Sequence, residues 1–482
     1  MNFKGKNSEG KEKAVANIGV RSFITVVLIL SATLFLCGAL SYFIPQGSFE
    51  RDEAGGIIVD SYVQGDVSGI ELWRIITAPV RVFASEDALT VIMISLFLLI
   101  MSGVFNLLEK TGGIKIFIGR IMGRLRDKGG PVVCLTVLIF MLFGSCFGMF
   151  EELVTLLPII IMFMLSMNMD TMTGLGACLL AACFGFSAAI TNPFSVGLAA
   201  QVADVSPSEG IWLRLIFFGI IYLTLCVFLM LHLKRIESDP KLSLTYESDL
   251  DKRKLLEGMT EERSPRNDRI FKVYSVFFGV QAVVLILIAS VRAISGYAIP
   301  ILALSFLIGG IVAGVLVAEK RSDVAKHIVN GAASMLPAVV MIALASSVKL
   351  VMTESGVIDT IMNYAIRLLD GESRFLAIVL VFFLILFLQL FIGSASAKII
   401  LVMPIVMPIA TALGISPSLV ILAYCMADGF TDVILPTNPV LLVGLSMANV
   451  SYGKWVKWTW KLQTVVFLIS MLVLLFGVAI GY

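Results

Sequence analysis

Ile190-Thr191-Asn192-Pro193 interrupts an otherwise apolar helical run, and it has a second copy, Pro436-Thr437-Asn438-Pro439, which places Thr-Asn-Pro at matching points of two halves. The proline removes a helix donor and pushes the preceding asparagine into extended conformations, so each copy breaks its helix by residue type. At the break a threonine hydroxyl and an asparagine amide lie beside backbone groups that no helix satisfies. One such kink is common in membrane bundles, with its asparagine bonded to a neighbour. The repetition weighs toward a binding site. Each copy follows the same order of features: a Gly-Ser hinge inside a hydrophobic block, a proline-containing return, a small loop, then the break.

Working outward, the chain has 482 residues, of which 58% are hydrophobic and 15% charged, with a mean hydropathy of +0.97. Soluble domains carry about 25% charged residues. Apolar blocks of spanning length recur from Val20 onward, whereas alternating strands of a β-barrel are absent from the pattern. The composition therefore indicates an all-α polytopic membrane protein. A net charge of +2 gives no footprint for nucleic acid. Seven cysteines in apolar segments without CxxC spacing, and only two histidines, argue against disulfides and a zinc centre, and no cofactor is expected.

The positions of the basic residues set an expected topology. The N-terminal tail, residues 1–21, holds Lys4, Lys6, Lys11, Lys13 and Arg21 in the cytoplasm and has no cleavage site after the first apolar run, which is expected to stay as a span. A first repeat, 22–232, contains an external loop over 45–87, with a β-like excursion and an amphipathic piece around Trp73. It continues with a basic interfacial stretch over Ile114–Leu125, a re-entrant hairpin over 131–167 entering from the cytoplasm, and a broken helix over 171–203. The charged segment 233–270 reads as a cytoplasmic linker. A second repeat, 271–482, carries a hairpin over 375–413 entering from outside and a broken helix over 418–447. Lys454, Lys457 and Lys461 mark the cytoplasm again, and the C-terminus falls outside. The halves thus come out inverted, which places a site near the bilayer midplane.

Charged residues inside the apolar blocks sharpen the site. Glu151, Glu152, Lys398, Asp428 and Asp432 would each cost roughly 3 kcal/mol at the bilayer centre if left in lipid, so they are expected to face the interior. Asp428 and Asp432 share a helical face, whereas Glu151 and Glu152 diverge. Four acids against one base suggest a site for cations, unless Lys398 neutralises one acid and the rest bond broken backbone. The candidate substrate-binding set is Ser145, Glu151, Glu152, Thr191, Asn192, Ser394, Ser396, Lys398, Asp428, Asp432, Thr437 and Asn438. Lys349 reads as a snorkelling residue, and Asn106 and Gln389 as packing hydrogen bonds. An intramembrane enzyme using Asp428 and Asp432 is disfavoured, because they lie on one helix, and a passive channel fits poorly with hairpins closing from opposite sides.

Four stretches carry a resemblance: Pro45-Gln-Gly-Ser-Phe49, Phe143-Gly-Ser-Cys-Phe-Gly-Met-Phe-Glu-Glu152, Thr191-Asn-Pro-Phe194 and Asp428-Gly-Phe-Thr-Asp-Val-Ile-Leu-Pro-Thr437. By these the chain resembles the YfcC-like, arginine/ornithine antiporter-like branch of the C4-dicarboxylate anaerobic carrier (DcuC) family, within the ion transporter superfamily. The resemblance implies a scaffold domain, a transport domain with two opposed hairpins and elevator-type motion in a bacterial inner membrane. It further implies exchange of basic amino acids, with ion-coupled C4-dicarboxylate transport as the alternative. The implied partners are an amino acid or carboxylate substrate, the lipid bilayer and a coupling ion, Na⁺ or H⁺; a homodimer is compatible with it. The hairpin tips here read Gly-Ser-Cys and Gly-Ser-Ala-Ser, where the superfamily often has Ser-Asn-Thr for Na⁺. Lys398 stands where related chains have an uncharged polar residue, so its ammonium could replace a coupling ion or attract an anion.

Overall fold

A bilayer gives unpaired backbone no water, so long apolar runs satisfy their N–H and C=O groups internally as helices. The computed structural model describes residues 20–51, 58, 61–113, 116, 120, 129–151, 153–256, 264–290, 297–369 and 371–482. Helix α1 covers Val20–Leu40, α2 Leu72–Arg81 and α3 Ala88–Lys110. Between α1 and α2 the strands β1 (Gly47–Ser48) and β2 (Val63–Gln64) pair antiparallel, as the turn-rich sequence leads one to expect. Next come α4 (Gly129–Phe147), α5 (Leu157–Ser166) and the first broken helix, α6 (Thr171–Ser187) with α7 (Pro193–Val202). Helices α8 (Ile211–Ser238), α9 (Tyr246–Leu256), α10 (Pro265–Ser290) and α11 (Ala298–Val317) lead to α12 (Ser322–Ser334), α13 (Leu336–Glu354) and α14 (Val357–Leu369). The second hairpin is α15 (Arg374–Gln389) and α16 (Ala395–Ala412), the second broken helix α17 (Pro417–Thr431) and α18 (Pro439–Ala448), and α19 (Tyr452–Ile480) closes the chain.

Seven helical stretches among the described residues are long and apolar enough to cross a membrane. Leu223, Leu231, Leu304, Ile308, Leu468 and Leu472 are exposed on them, as lipid-facing residues should be. One group of helices packs α1, α2, α3, α10, α11, α12 and α13 together. Here α3 and α12 approach through small residues: Ser102 Oγ donates to the Gly331 carbonyl at 2.8 Å and Asn106 Nδ2 to the His327 carbonyl at 2.6 Å. A second group holds the hairpins, the broken helices, α8 and α19. Its tightest crossing is α4 on α6, where a Cβ on Gly144 would lie 2.1 Å from the Ala182 carbonyl oxygen and one on Gly185 2.1 Å from that of Met141.

The two broken helices touch side by side in reversed order. Cys183 Sγ donates to the Gly429 carbonyl at 2.8 Å, and Ser187 Oγ to the Met426 carbonyl at 3.2 Å. As one helix advances, its contacts on the other recede, so α6 and α17 run in opposite directions.

Several expected boundaries shift. Helix α8 runs past residue 232 to Ser238, because basic Arg235 near its end suits the negative pole of the helix. Met335 separates α12 from α13, and Pro337 opens the latter. Most of the interfacial stretch 114–125 lies outside the described residues. The segment 233–270 is more than a linker: α9 docks on the ends of both broken helices. Buried Asp249 accepts from Thr171 N at 2.9 Å, Lys252 Nζ donates to the Ala448 carbonyl at 2.9 Å and Arg253 to that of Met169 at 2.8 Å. Burial there pushes the Lys252 ammonium below the ordinary lysine range, with Asp249 opposing it. Asp170 caps α6 and accepts from His232 Nε2 at 3.0 Å. Trp458 donates its indole N–H to the other ring nitrogen at 3.2 Å, which fixes the tautomer of His232.

Candidate functional site

At the second break, α17 ends at Thr431 and α18 begins at Pro439, leaving an open segment between them. Asn438 repairs the break as an N-cap, its Oδ1 accepting from Val440 N at 2.9 Å and Leu441 N at 3.2 Å. Its amide then donates to Asp432 Oδ1 at 2.8 Å, and Gln389, the last residue of α15, donates to the same oxygen. One turn earlier on α17, Asp428 forms an ion pair with Lys398 of α16, and both are fully buried. Tyr424 donates to the Ala395 carbonyl at 2.6 Å, tying α17 to the hairpin tip.

The first break has the same cap with different surroundings. Asn192 Oδ1 accepts from Phe194 N at 2.9 Å and Ser195 N at 3.3 Å. Ser145 stitches the open backbone: its carbonyl accepts from Ile190 N and Asn192 N at 3.0 and 3.1 Å, and its hydroxyl donates to the Ala188 carbonyl at 2.6 Å. Thr191 Oγ1 donates to the Cys146 carbonyl at 3.1 Å. No carboxylate takes part in these contacts. Arg214, which the sequence reading passed over, is buried and donates to the carbonyls of Ile190 at 2.8 Å, Glu209 at 2.9 Å and Pro207 at 2.5 Å. The signal for it was an arginine inside the apolar run of α8. Replacing Arg214 with methionine leaves those carbonyls unpaired and is expected to destabilise the protein by about 3 kcal/mol, seen as a lowered melting temperature in detergent.

A cavity of about 280 Å³ opens between the two groups of helices. One wall is Asp87, Thr90 and Ile94 of the α3 region with Ile342, Ser346 and Lys349 of α13; the other is both hairpin turns, at Gly148 and Gly393–Ser396, with Asp432 and Thr437–Val440. Phe186, Phe194 and Phe391 supply apolar surface. Lys349 Nζ pairs with Asp87 Oδ1 at 2.7 Å, so it is held in the cavity wall and does not snorkel. The tip of α16 reaches the first break where Ser396 Oγ donates to the Phe194 carbonyl at 3.4 Å.

Of the twelve candidate residues, Glu151, Ser394, Ser396, Asp432, Thr437 and Asn438 line this cavity. Ser145, Asn192, Lys398 and Asp428 are buried away from its lining. Thr191 is exposed elsewhere. Glu152 lies outside the described residues. Gln389, read as a packing hydrogen bond, is buried outside the lining and donates to Asp432. Gly144 sits inside α4, packed on α6, and the turn falls at Gly148, whose φ of 69° suits glycine.

Helices broken around a cavity that holds a few polar and charged groups, in an apolar bundle, are the build of a membrane transporter. The chain belongs to the C4-dicarboxylate anaerobic carrier (DcuC) family, which matches residues 20–479. An uncharacterized protein of Haemophilus influenzae is 26% identical over 402 residues, 82% of this chain and 77% of that protein. The YfcC protein of Escherichia coli K12, whose name provisionally assigns it as a basic amino acid antiporter, is 26% identical over 412 residues, 82% of this chain and 79% of its own. Among solved structures, the YdaH transporter of Alcanivorax borkumensis aligns over 95% of this chain and 98% of that one, with a TM-score of 0.45 at 18% identity. MtrF of Neisseria gonorrhoeae, described with a class of antimetabolite efflux pumps, aligns over 94% of each chain with a TM-score of 0.42 at 18% identity.

Proposed function

We propose that this protein exchanges basic amino acids of the arginine, ornithine and lysine class by alternating access. The charge of the cavity lining carries this reading. Among the described lining residues Asp87, Glu151 and Asp432 are acidic and Lys349 is basic, and that ammonium is paired with Asp87. Lys398, which could have attracted an anion, is engaged by Asp428 away from the cavity lining. A guanidinium or ammonium group would sit on the acids, while the first turn of α16 at Ser394–Ser396 offers N–H groups for a substrate carboxylate. The name of the Escherichia coli relative agrees with this substrate class. A C4-dicarboxylate would bring two negative charges into the same acids and is disfavoured.

The opposed directions of α6 and α17 support a pair of inverted halves, with the hairpin and broken-helix group moving against the α1–α3 and α10–α13 group. The expected orientation keeps the N-terminus cytoplasmic and the C-terminus outside. Counterflow in proteoliposomes tests the substrate: internal arginine, ornithine or lysine should drive uptake of labelled arginine. Counterflow of succinate or fumarate without arginine exchange would overturn the reading.

A further inference from the structure

Five carboxylates are buried among the described residues: Asp170, Asp249, Asp359, Asp428 and Asp432. Four of them touch a basic side chain, namely His232, Lys252, Arg51 and Lys398. Asp432 differs, since its hydrogen-bond donors are the neutral amides of Gln389 and Asn438. With Lys398 spent on Asp428, ionising Asp432 leaves this three-residue cluster with one uncompensated negative charge, and Asp432 borders the cavity. An ionised carboxylate is tolerable there while water fills the cavity. It becomes costly once the cavity closes around it during reorientation.

From this we infer that Asp432 is the coupling residue: its unpaired charge holds back the empty carrier, and a cationic substrate group seated on it permits reorientation, which enforces exchange. This rests on the basic amino acid reading above. A proton on Asp432 would release the same block, so net efflux should accelerate as pH falls. The other groups around it are Asp428 and Tyr424 on its own helix, Lys398 on α16, Cys183 on α6, Glu151, and the Asp87–Lys349 pair across the cavity.

The test compares exchange with net efflux in liposomes loaded with labelled arginine. At about pH 8 the wild-type protein should release arginine into substrate-free buffer about 100-fold more slowly than into buffer with arginine, and acidifying to about pH 5 should narrow the gap. Asp432→Asn should make the two rates equal at both pH values, with exchange itself slowed. Wild-type efflux as fast as exchange at the higher pH overturns the inference, as does an Asp432→Asn variant that keeps the gap. If that variant does not insert, the wild-type comparison at two pH values decides alone. Wild-type protein without any arginine counterflow overturns the substrate reading instead.

Discussion

Lys398→Met is expected to abolish recovery of folded protein, and adding Asp428→Asn is expected to restore it. The Lys398–Asp428 pair is fully buried, and Asp428 Oδ2 has no hydrogen-bond partner within the protein. Removing the ammonium alone leaves a buried carboxylate with neither counter-charge nor water, at a cost of about 3–5 kcal/mol. That is a large share of a stability of roughly 5–15 kcal/mol. Removing both charges takes away the desolvation cost together with the attraction, so the double variant should come close to wild type. Size-exclusion profiles in mild detergent and melting temperatures of the wild-type protein and the two variants check this. A well-folded Lys398→Met protein would show that another group neutralises Asp428.

The two asparagines of the repeated break are expected to respond differently to the same substitution. Each caps a helix, so alanine at either position should cost about 1 kcal/mol of stability. Asn438→Ala also strips a donor from Asp432 in the cavity wall. Its KM for arginine in counterflow should therefore rise about 30-fold, in line with losing a hydrogen bond to a charged group. Asn192 touches no carboxylate, and a Cβ on Gly148 would come within 2.3 Å of its Oδ1. Asn192→Ala should lower the melting temperature while leaving KM within about threefold of wild type. Equal changes in KM would place both breaks at the substrate.

Features set by local chemistry were readable from the sequence. Proline had to break both helices at Thr-Asn-Pro, and asparagine before it had to cap what followed. The buried acids and Lys398 were found because charge is rare in apolar runs, but which charges would pair was a tertiary matter. Lys398 and Asp428 are 30 residues apart, and Lys349 and Asp87 are 262 apart. Gly144 shows the limit at a single residue: a glycine that lets two helices close up looks the same as one that turns the chain. Arg214 carried the same signal, a charge in an apolar run, but its partners are loop carbonyls, which carry no residue signature. The segment 233–270 was read from charge as a linker, and within it Asp249 and Lys252 are satisfied by the ends of two helices it covers.

The contact between Cys183 and Gly429 joins positions 246 apart, the same interval that separates Asn192 from Asn438. Where a position meets its own counterpart, the two side chains share one slot, and the volume of one is set by the absence of the other. Gly429 has no room for a Cβ, which would fall 2.3 Å from Ser187 N, and the sulfur of Cys183 fills the space beside it. The same interval sets Ala182 and Phe186 against Asp428 and Asp432. Along this pair of contacting helices the charge is therefore all on one side: α6 carries no charged residue, and its apolar surface packs against the helix that holds Asp428.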